Sequence, residues 1–222
     1  MDDLLNVSGV SNDDSDEEHL TAAQVLEKLE QAWMNERLSP NLMECKSQIV
    51  EIMLEQIEEM EANIQRAQKG DLKISLHRLE LDRIRYVVSS YLRCRLEKIE
   101  KFAPILLERE KSKSDDEPSK LSPEEFAFAK ELVGNVDNHF KSSALKHMPR
   151  NLQNIALHEI TSRPNLDHYV FLRVHQREEG VIVDPETDDH AEDRVDLEVG
   201  AQHLMRYQPI EQLVENGAVS LI

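Results

Sequence analysis

Apolar residues recur every three to four positions through most of the chain up to Met148, and short alternating runs then replace them. The first helix opens at Thr21, where Thr21-x-x-Gln24 has the form of a capping box. Val25, Leu26, Leu29, Ala32 and Trp33 follow at helical spacing, and Ser39-Pro40 ends the segment. A second helix is expected from about Ser47 to Gln68, with one stripe of Ile49, Val50, Met53, Leu54, Ile57, Met60 and Ile64 and with Gly70 as its stop. The third runs from Asp71 to about Lys111. Its expected buried side is Leu76, Leu79, Ile84, Val88, Tyr91, Leu92, Ile99 and Phe102, and Pro104 should kink or restart it. After a polar linker over 111–120, Ser122-Pro123-Glu124-Glu125 combines an N-cap, a first-turn proline and a capping-box glutamate. Phe126, Ala129, Val133, Val136 and Phe140 give the fourth stripe.

Past Met148-Pro149 the pattern reads as strand. Tyr169–Val174, Gly180–Val183, Val195–Val199, Leu204–Tyr207 and Ala218–Ile222 are expected to form a small antiparallel unit, with a short helix over Ile210–Asn216. The predicted class is mainly α with a small β domain (α+β). Its parts are an acidic disordered tail over 1–20, an N-terminal helical bundle over 21–148, a linker over 149–166 and a β-rich domain over 167–222.

Charge narrows the function classes. The 222 residues carry a net charge of -18, which repels nucleic acid and anionic membranes on average and favours basic protein partners. The tail holds seven acids and no Lys or Arg; it reads as a solvated segment, although Asp2-Asp3-Leu4-Leu5 also has the form of a short docking motif. The third helix has the opposite balance, eight basic residues against four acids between Lys73 and Lys101. Arg83, Arg85 and Arg93 lie near Tyr86 and Tyr91, residue types that anchor interfaces and can also meet phosphates; the plain alternative is a solvated face laced with intrachain ion pairs.

Catalytic and metal signatures are lacking. The sequence has no phosphate loop, no dinucleotide turn, no HExxH and no GxSxG, and its nine histidines show no ligand spacing. The acidic run from Glu178 to Glu198 lacks the glycine and flanking helices of a calcium loop and reads as solvated. No cofactor, metal or catalytic residue is expected. Two separated cysteines, Cys45 and Cys94, an acidic start and no membrane-length apolar run point to a reducing, intracellular setting.

The run Asp82-Arg-Ile-Arg-Tyr-Val-Val-Ser-Ser-Tyr-Leu-Arg-Cys-Arg-Leu-Glu-Lys-Ile-Glu100 resembles the hallmark helix of GINS replication subunits of the Sld-five type. Leu29-Glu-Gln-Ala-Trp-Met-Asn-Glu36, Ala144-Leu-Lys-His-Met-Pro149 and Tyr169-Val-Phe-Leu-Arg-Val174 agree with it, in the expected order. The resemblance implies a helical A domain, a β-rich B domain and a non-catalytic scaffold role in a nuclear heterotetramer with three Psf-type subunits. That assembly joins the MCM helicase and a RecJ-like partner to form the replicative helicase. It further implies a partner surface at Trp33, Arg83, Arg85, Tyr86, Tyr91, Arg93, Arg95, Leu96, Tyr169, Phe171, Leu204, Tyr207, Val219, Leu221 and Ile222. Asp2, Asp3, Leu4 and Leu5 would dock on a trimeric replisome hub. The alternatives are a nucleic-acid module built on the Arg83–Lys101 helix, and an enzyme using the 178–198 carboxylates.

Overall fold

The computed structural model describes residues 21–66, 72–113, 119–182 and 194–222. The tail with Asp2–Leu5, the Gly70 stop and most of the acidic run lie outside the described residues. The elements are α1 (Ala22–Leu38), α2 (Ser47–Arg66), α3 (Leu72–Ser112), α4 (Pro123–Ser143), α5 (Leu157–Ile160), β1 (Tyr169–Val174), β2 (Glu178–Ile182), β3 (Arg194–Leu197), β4 (Gln202–Arg206), α6 (Glu211–Glu215) and β5 (Val219–Leu221). The class is α+β as expected, a helical bundle followed by small antiparallel sheets.

Both capping boxes form. The Thr21 amide donates to Gln24 Oε1 at 2.9 Å, and the Glu125 amide donates to Ser122 Oγ at 3.1 Å while Glu125 accepts from the Ser122 amide at 3.0 Å. Pro104 neither ends nor restarts α3, which runs unbroken through 41 residues. The missing amide hydrogen bond of a helical proline is offset here by burial on both sides of it, at Ala103 and Leu107. A single 3₁₀ turn at Leu145–His147 follows α4, and a second at Arg150–Leu152 together with α5 occupies part of the expected linker.

The chain divides into two compact units. One joins the start of α1, through Gln31, to Ser47–Val88; it buries Val25 and Leu29, Val50, Met53 and Ile57, and Leu81, Ile84, Val87 and Val88. The other comprises Ala32–Lys46 and Ser89–Ile222 and has two apolar clusters. Leu42, Ile99, Ala103, Leu107, Leu121 and Ala129 form one of them. The second gathers the inward residues of the sheet with Met43, Tyr207, Ile210 and Val214.

Among the described residues, five strands pair as two sheets. One has the order β4-β1-β5 and the other pairs β2 with β3, all antiparallel. In β1, Val170, Leu172 and Val174 point inward and Tyr169, Phe171 and Arg173 outward, the period-two pattern of a one-sided sheet. Gly180, at φ 71°, sits where the β2–β3 register shifts, and Gly217, at φ 75°, turns the chain from α6 into β5; a side chain would strain either position.

Several expected core positions are exposed. In α3 the buried row is Leu81, Ile84, Val88, Tyr91, Arg95 and Ile99, whereas Leu76, Leu79 and Leu92 face outward. In α4 only Ala129 is fully buried, and Phe126, Val136 and Phe140 are exposed. The C-terminal strand, expected to meet a partner, instead closes this chain's own core, since Val219 and Leu221 are buried against Leu172 and Val174. Leu221→Ala should therefore destabilise the free chain by about 2–5 kcal/mol in urea unfolding, and deleting Ala218–Ile222 should unfold the sheet rather than merely uncover a surface.

Candidate protein-protein interface

The residues expected to meet partners separate into three groups. The first is internal. Arg95 is fully buried, in the row of α3 that carries Tyr91 and Ile99. Its guanidinium donates to Glu125 Oε1 at 2.7 Å and Oε2 at 2.8 Å, to Glu36 Oε2 at 3.1 Å, to the Met43 carbonyl at 2.9 Å and to the Lys120 carbonyl at 2.8 Å. Lys98, one turn on, donates to Glu36 Oε1 at 2.7 Å, to Ser39 Oγ at 2.8 Å and to the Asn41 carbonyl at 2.8 Å. Two cations thus face two carboxylates out of water, and each is hydrogen-bonded, the condition under which buried charge is tolerated.

Burial alone pulls the Arg95 guanidinium down, but the hydrogen bonds to Glu125 and the charges of Glu125 and Glu36 hold it above its ordinary value. Burial draws the Lys98 ammonium below the usual lysine value, against the pull of Glu36. Tyr91 lies beside Arg95, with the guanidinium 5.8 Å from its ring centre, and its hydroxyl accepts from the Lys46 amide at 3.2 Å. Burial pushes that phenol up to about 12. Tyr207 is equally enclosed, its hydroxyl donating to Met43 Sδ at 3.2 Å, and its phenol is also raised, by burial first and then by Glu211 and Glu215. Tyr91, Arg95, Tyr207, Val219 and Leu221 therefore hold this chain's interior and are not open contact residues.

The second group is the exposed side of α3. Arg83 pairs with Glu80 at 2.7 Å and with Glu30; Arg85 pairs with Asp82 at 3.3 Å and with Glu61. The hydrogen bond from Arg83 holds the Glu80 carboxyl below its usual range. Beside these pairs runs an apolar row at heptad spacing, Leu72, Leu76, Leu79 and Tyr86, with Leu76 55% and Leu79 67% exposed. Further along, Arg93 and Leu96 are exposed, and Trp33 is half-buried, donating from Nε1 to Ser90 Oγ at 2.9 Å with Arg37 over its ring.

The third group is the outer face of the three-stranded sheet. Register sets Phe171 opposite Leu204 and Tyr169 opposite Arg206, and the Ile222 amide donates to the Phe171 carbonyl at 3.1 Å. Tyr169, Phe171, Leu204 and Ile222 are thereby gathered on one exposed face. The resemblance gave Arg95 to the surface and no role to Glu36. The available signal was spacing, for Arg95 stands at the i+4 position from Tyr91 and i−4 from Ile99, inside the apolar row. Among the described residues no group of three metal-ligating side chains occurs, and no helix is long and apolar enough to cross a membrane.

Comparison with known proteins gives the family. Residues 49–144 match the family model of the GINS complex protein helical bundle domain, and residues 164–222 match that of the DNA replication complex GINS protein SLD5 C-terminus. The chain is 56% identical to DNA replication complex GINS protein SLD5 of Mus musculus, over 100% of both chains. The chain belongs to the SLD5 family of GINS proteins. It is 54% identical to the Homo sapiens SLD5 protein, over 96% of this chain and 95% of that one, and 30% identical to the Arabidopsis thaliana SLD5 protein, over 94% and 96%.

Two outcomes follow for this SLD5-family chain. Arg95→Met should cost about 3–5 kcal/mol in urea unfolding, because it strands Glu125 without its cation; adding Glu125→Gln, which restores neutrality, should recover at least about 1 kcal/mol. At alkaline pH the buried phenols reverse sign. Tyr91 keeps its proton in the fold up to about 12 but loses it near 10 when unfolded, so between these values the unfolded state binds fewer protons and stability falls. Tyr207 adds to the fall. Lys98, with its depressed value, opposes it only up to the unfolded lysine value of 10.5. Between about pH 10 and 11.5, Tyr91→Phe should gain on the unaltered chain by about 1 kcal/mol or more, read from urea midpoints by far-UV circular dichroism.

Proposed function

We propose that this chain is a non-catalytic subunit of a GINS complex acting in DNA replication in the nucleus, and that it works by holding other subunits. The observation that carries the reading is the two-sidedness of α3. One row, Leu81, Ile84, Val88, Tyr91 and Ile99, is buried in the chain, while Leu72, Leu76, Leu79 and Tyr86 form a second row that the chain leaves exposed. Exposed apolar rows of this length mark contact surfaces, because water contact with them is unfavourable by about 25 cal/mol per Å².

The partners this reading takes are three Psf-type subunits and, through the assembled complex, the MCM helicase and its RecJ-like partner. ATP chemistry would reside in the helicase, in keeping with a sequence that carries no phosphate loop. The tail residues Asp2–Leu5 would supply a separate docking motif for a replisome hub. The ion pairs of α3 weigh against DNA as its ligand. Arg83 and Arg85 are engaged by Glu30, Glu80, Asp82 and Glu61, and Arg95 and Lys98 are turned into the interior.

The double variant Leu76→Asp with Leu79→Asp tests this. Both side chains are exposed, so the free chain should unfold within about 1 kcal/mol of the unaltered one. Co-expressed with the other GINS subunits, it should yield at least about tenfold less complex by size-exclusion chromatography with light scattering. Unimpaired assembly of the variant would remove the basis of the reading.

A further inference from the structure

An apolar groove of about 350 Å³ lies between α3, α4 and α5. Pro104 of α3, Leu132, Val133 and Val136 of α4, and Leu157 and Ile160 of α5 line it, together with Glu100 and Lys101. Two features give the groove a chemistry. Pro104 has no N–H, so the Glu100 carbonyl one turn back lacks its helical donor and is left as an acceptor beside apolar walls. The chain around the groove is also cationic. Residues 138–164 hold Lys141, Lys146, Arg150 and Arg163, all exposed, against the single acid Glu159. The whole chain, by contrast, has 44 acidic residues against 26 Lys and Arg.

We infer that this groove takes the tryptophan side chain of an acidic segment in a protein outside the GINS complex. Its volume lies at the low end of the range of about 300–1,000 Å³ for ligand clefts, which suits one large ring better than a cofactor. An indole meets both demands of the site, with apolar faces for the walls and one N–H for the Glu100 carbonyl. Carboxylates flanking the indole meet the cations of 138–164, and a basic segment meets repulsion. This chain does not supply the ring to itself or to a second copy, because its single tryptophan, Trp33, is half-buried and donates to Ser90. The inference goes beyond the subunit reading, whose exposed row from Leu72 to Tyr86 belongs to the other compact unit and lines no part of the groove.

The test uses the full chain with isotope-labelled Ile, Leu and Val methyl groups, assembled with the other GINS subunits and titrated with capped tripeptides under methyl NMR. Asp-Trp-Asp should shift the Val136, Leu157 and Ile160 methyl signals to saturation. Lys-Trp-Lys should bind at least about fivefold more weakly at about 0.05 M NaCl, with a smaller difference at about 0.5 M. Asp-Trp-Asp should also bind about three- to tenfold more tightly than its N-methylindole counterpart, which has no N–H to give. Pro104→Ala returns the helical donor to the Glu100 carbonyl and should erase that last preference, and it should assemble as the unaltered chain does, since alanine is the better helix former. Absence of shifts at these methyls, or equal binding of Lys-Trp-Lys, would overturn the inference. Equal binding of the two indole forms to the unaltered complex would overturn the role of the Glu100 carbonyl. Binding to the free chain that is lost in the complex would overturn the outside partner, because another GINS subunit then fills the groove. If the chain forms no complex while the free chain binds Asp-Trp-Asp as stated, only the subunit reading fails.

Discussion

A guanidinium removed from water must be neutralised and hydrogen-bonded on all its edges, and Arg95 imposes that demand on the segments around it. Glu36 at the end of α1, the Met43 carbonyl in the following loop, the Lys120 carbonyl and the capping-box Glu125 all converge on it. Glu125 is committed twice, since the carboxylate that binds Arg95 also accepts from the Ser122 amide at the start of α4. Once Glu36 and Lys98 fix the Ser39–Met43 loop, the loop orders the C-terminal sheet. Asn41 donates to Glu211, Asn35 accepts from the Leu221 amide at 2.9 Å, and Met43 enters the cluster of Tyr207, Leu172 and Val219. The ion cluster is therefore less a source of stability than a fixed register between segments that are distant in sequence.

The second constraint is length. A helix of 41 residues, as α3 is, spans about 60 Å, more than a small domain can cover. One row of α3 is buried within the chain, and a second, Leu72, Leu76, Leu79 and Tyr86, is exposed. Pro104 survives within the helix for a related reason: the neighbours Ala103 and Leu107 are packed into a cluster with Leu121 and Ala129, and that packing outweighs a lost amide hydrogen bond.

Features written in local chemistry could be read from the sequence. The caps at Thr21 and Ser122 depend on residues three apart, and the strands depend on alternation, so both emerge from short windows. The choice between the two faces of α3 does not. Leu76 and Leu79 are as apolar as Leu81 and Ile84, and only the positions of α1 and α2 decide which row is covered. Arg95, which the resemblance groups with the partner surface, is buried instead, and its spacing from Tyr91 and Ile99 puts it in the inner row. Val219 and Leu221, which the resemblance groups with the partner surface, are buried against β1 of the same chain.

In both α3 and the sheet, positions that stabilise the fold and positions open to partners alternate along one backbone. Leu81 is buried two residues from exposed Leu79, and Leu172 is buried next to exposed Phe171. Because a helix repeats every 3.6 residues and a strand every two, neighbouring positions face opposite ways and can be altered independently. A change at Leu172 opens a cavity in the core, whereas a change at Phe171 alters only what the face can touch. The interior satisfies its own charges through Arg95, Lys98, Glu36 and Glu125, so it asks nothing of a partner. The outer rows retain their apolar contact with water until something covers them. That separation leaves the fold intact whatever the outer rows touch.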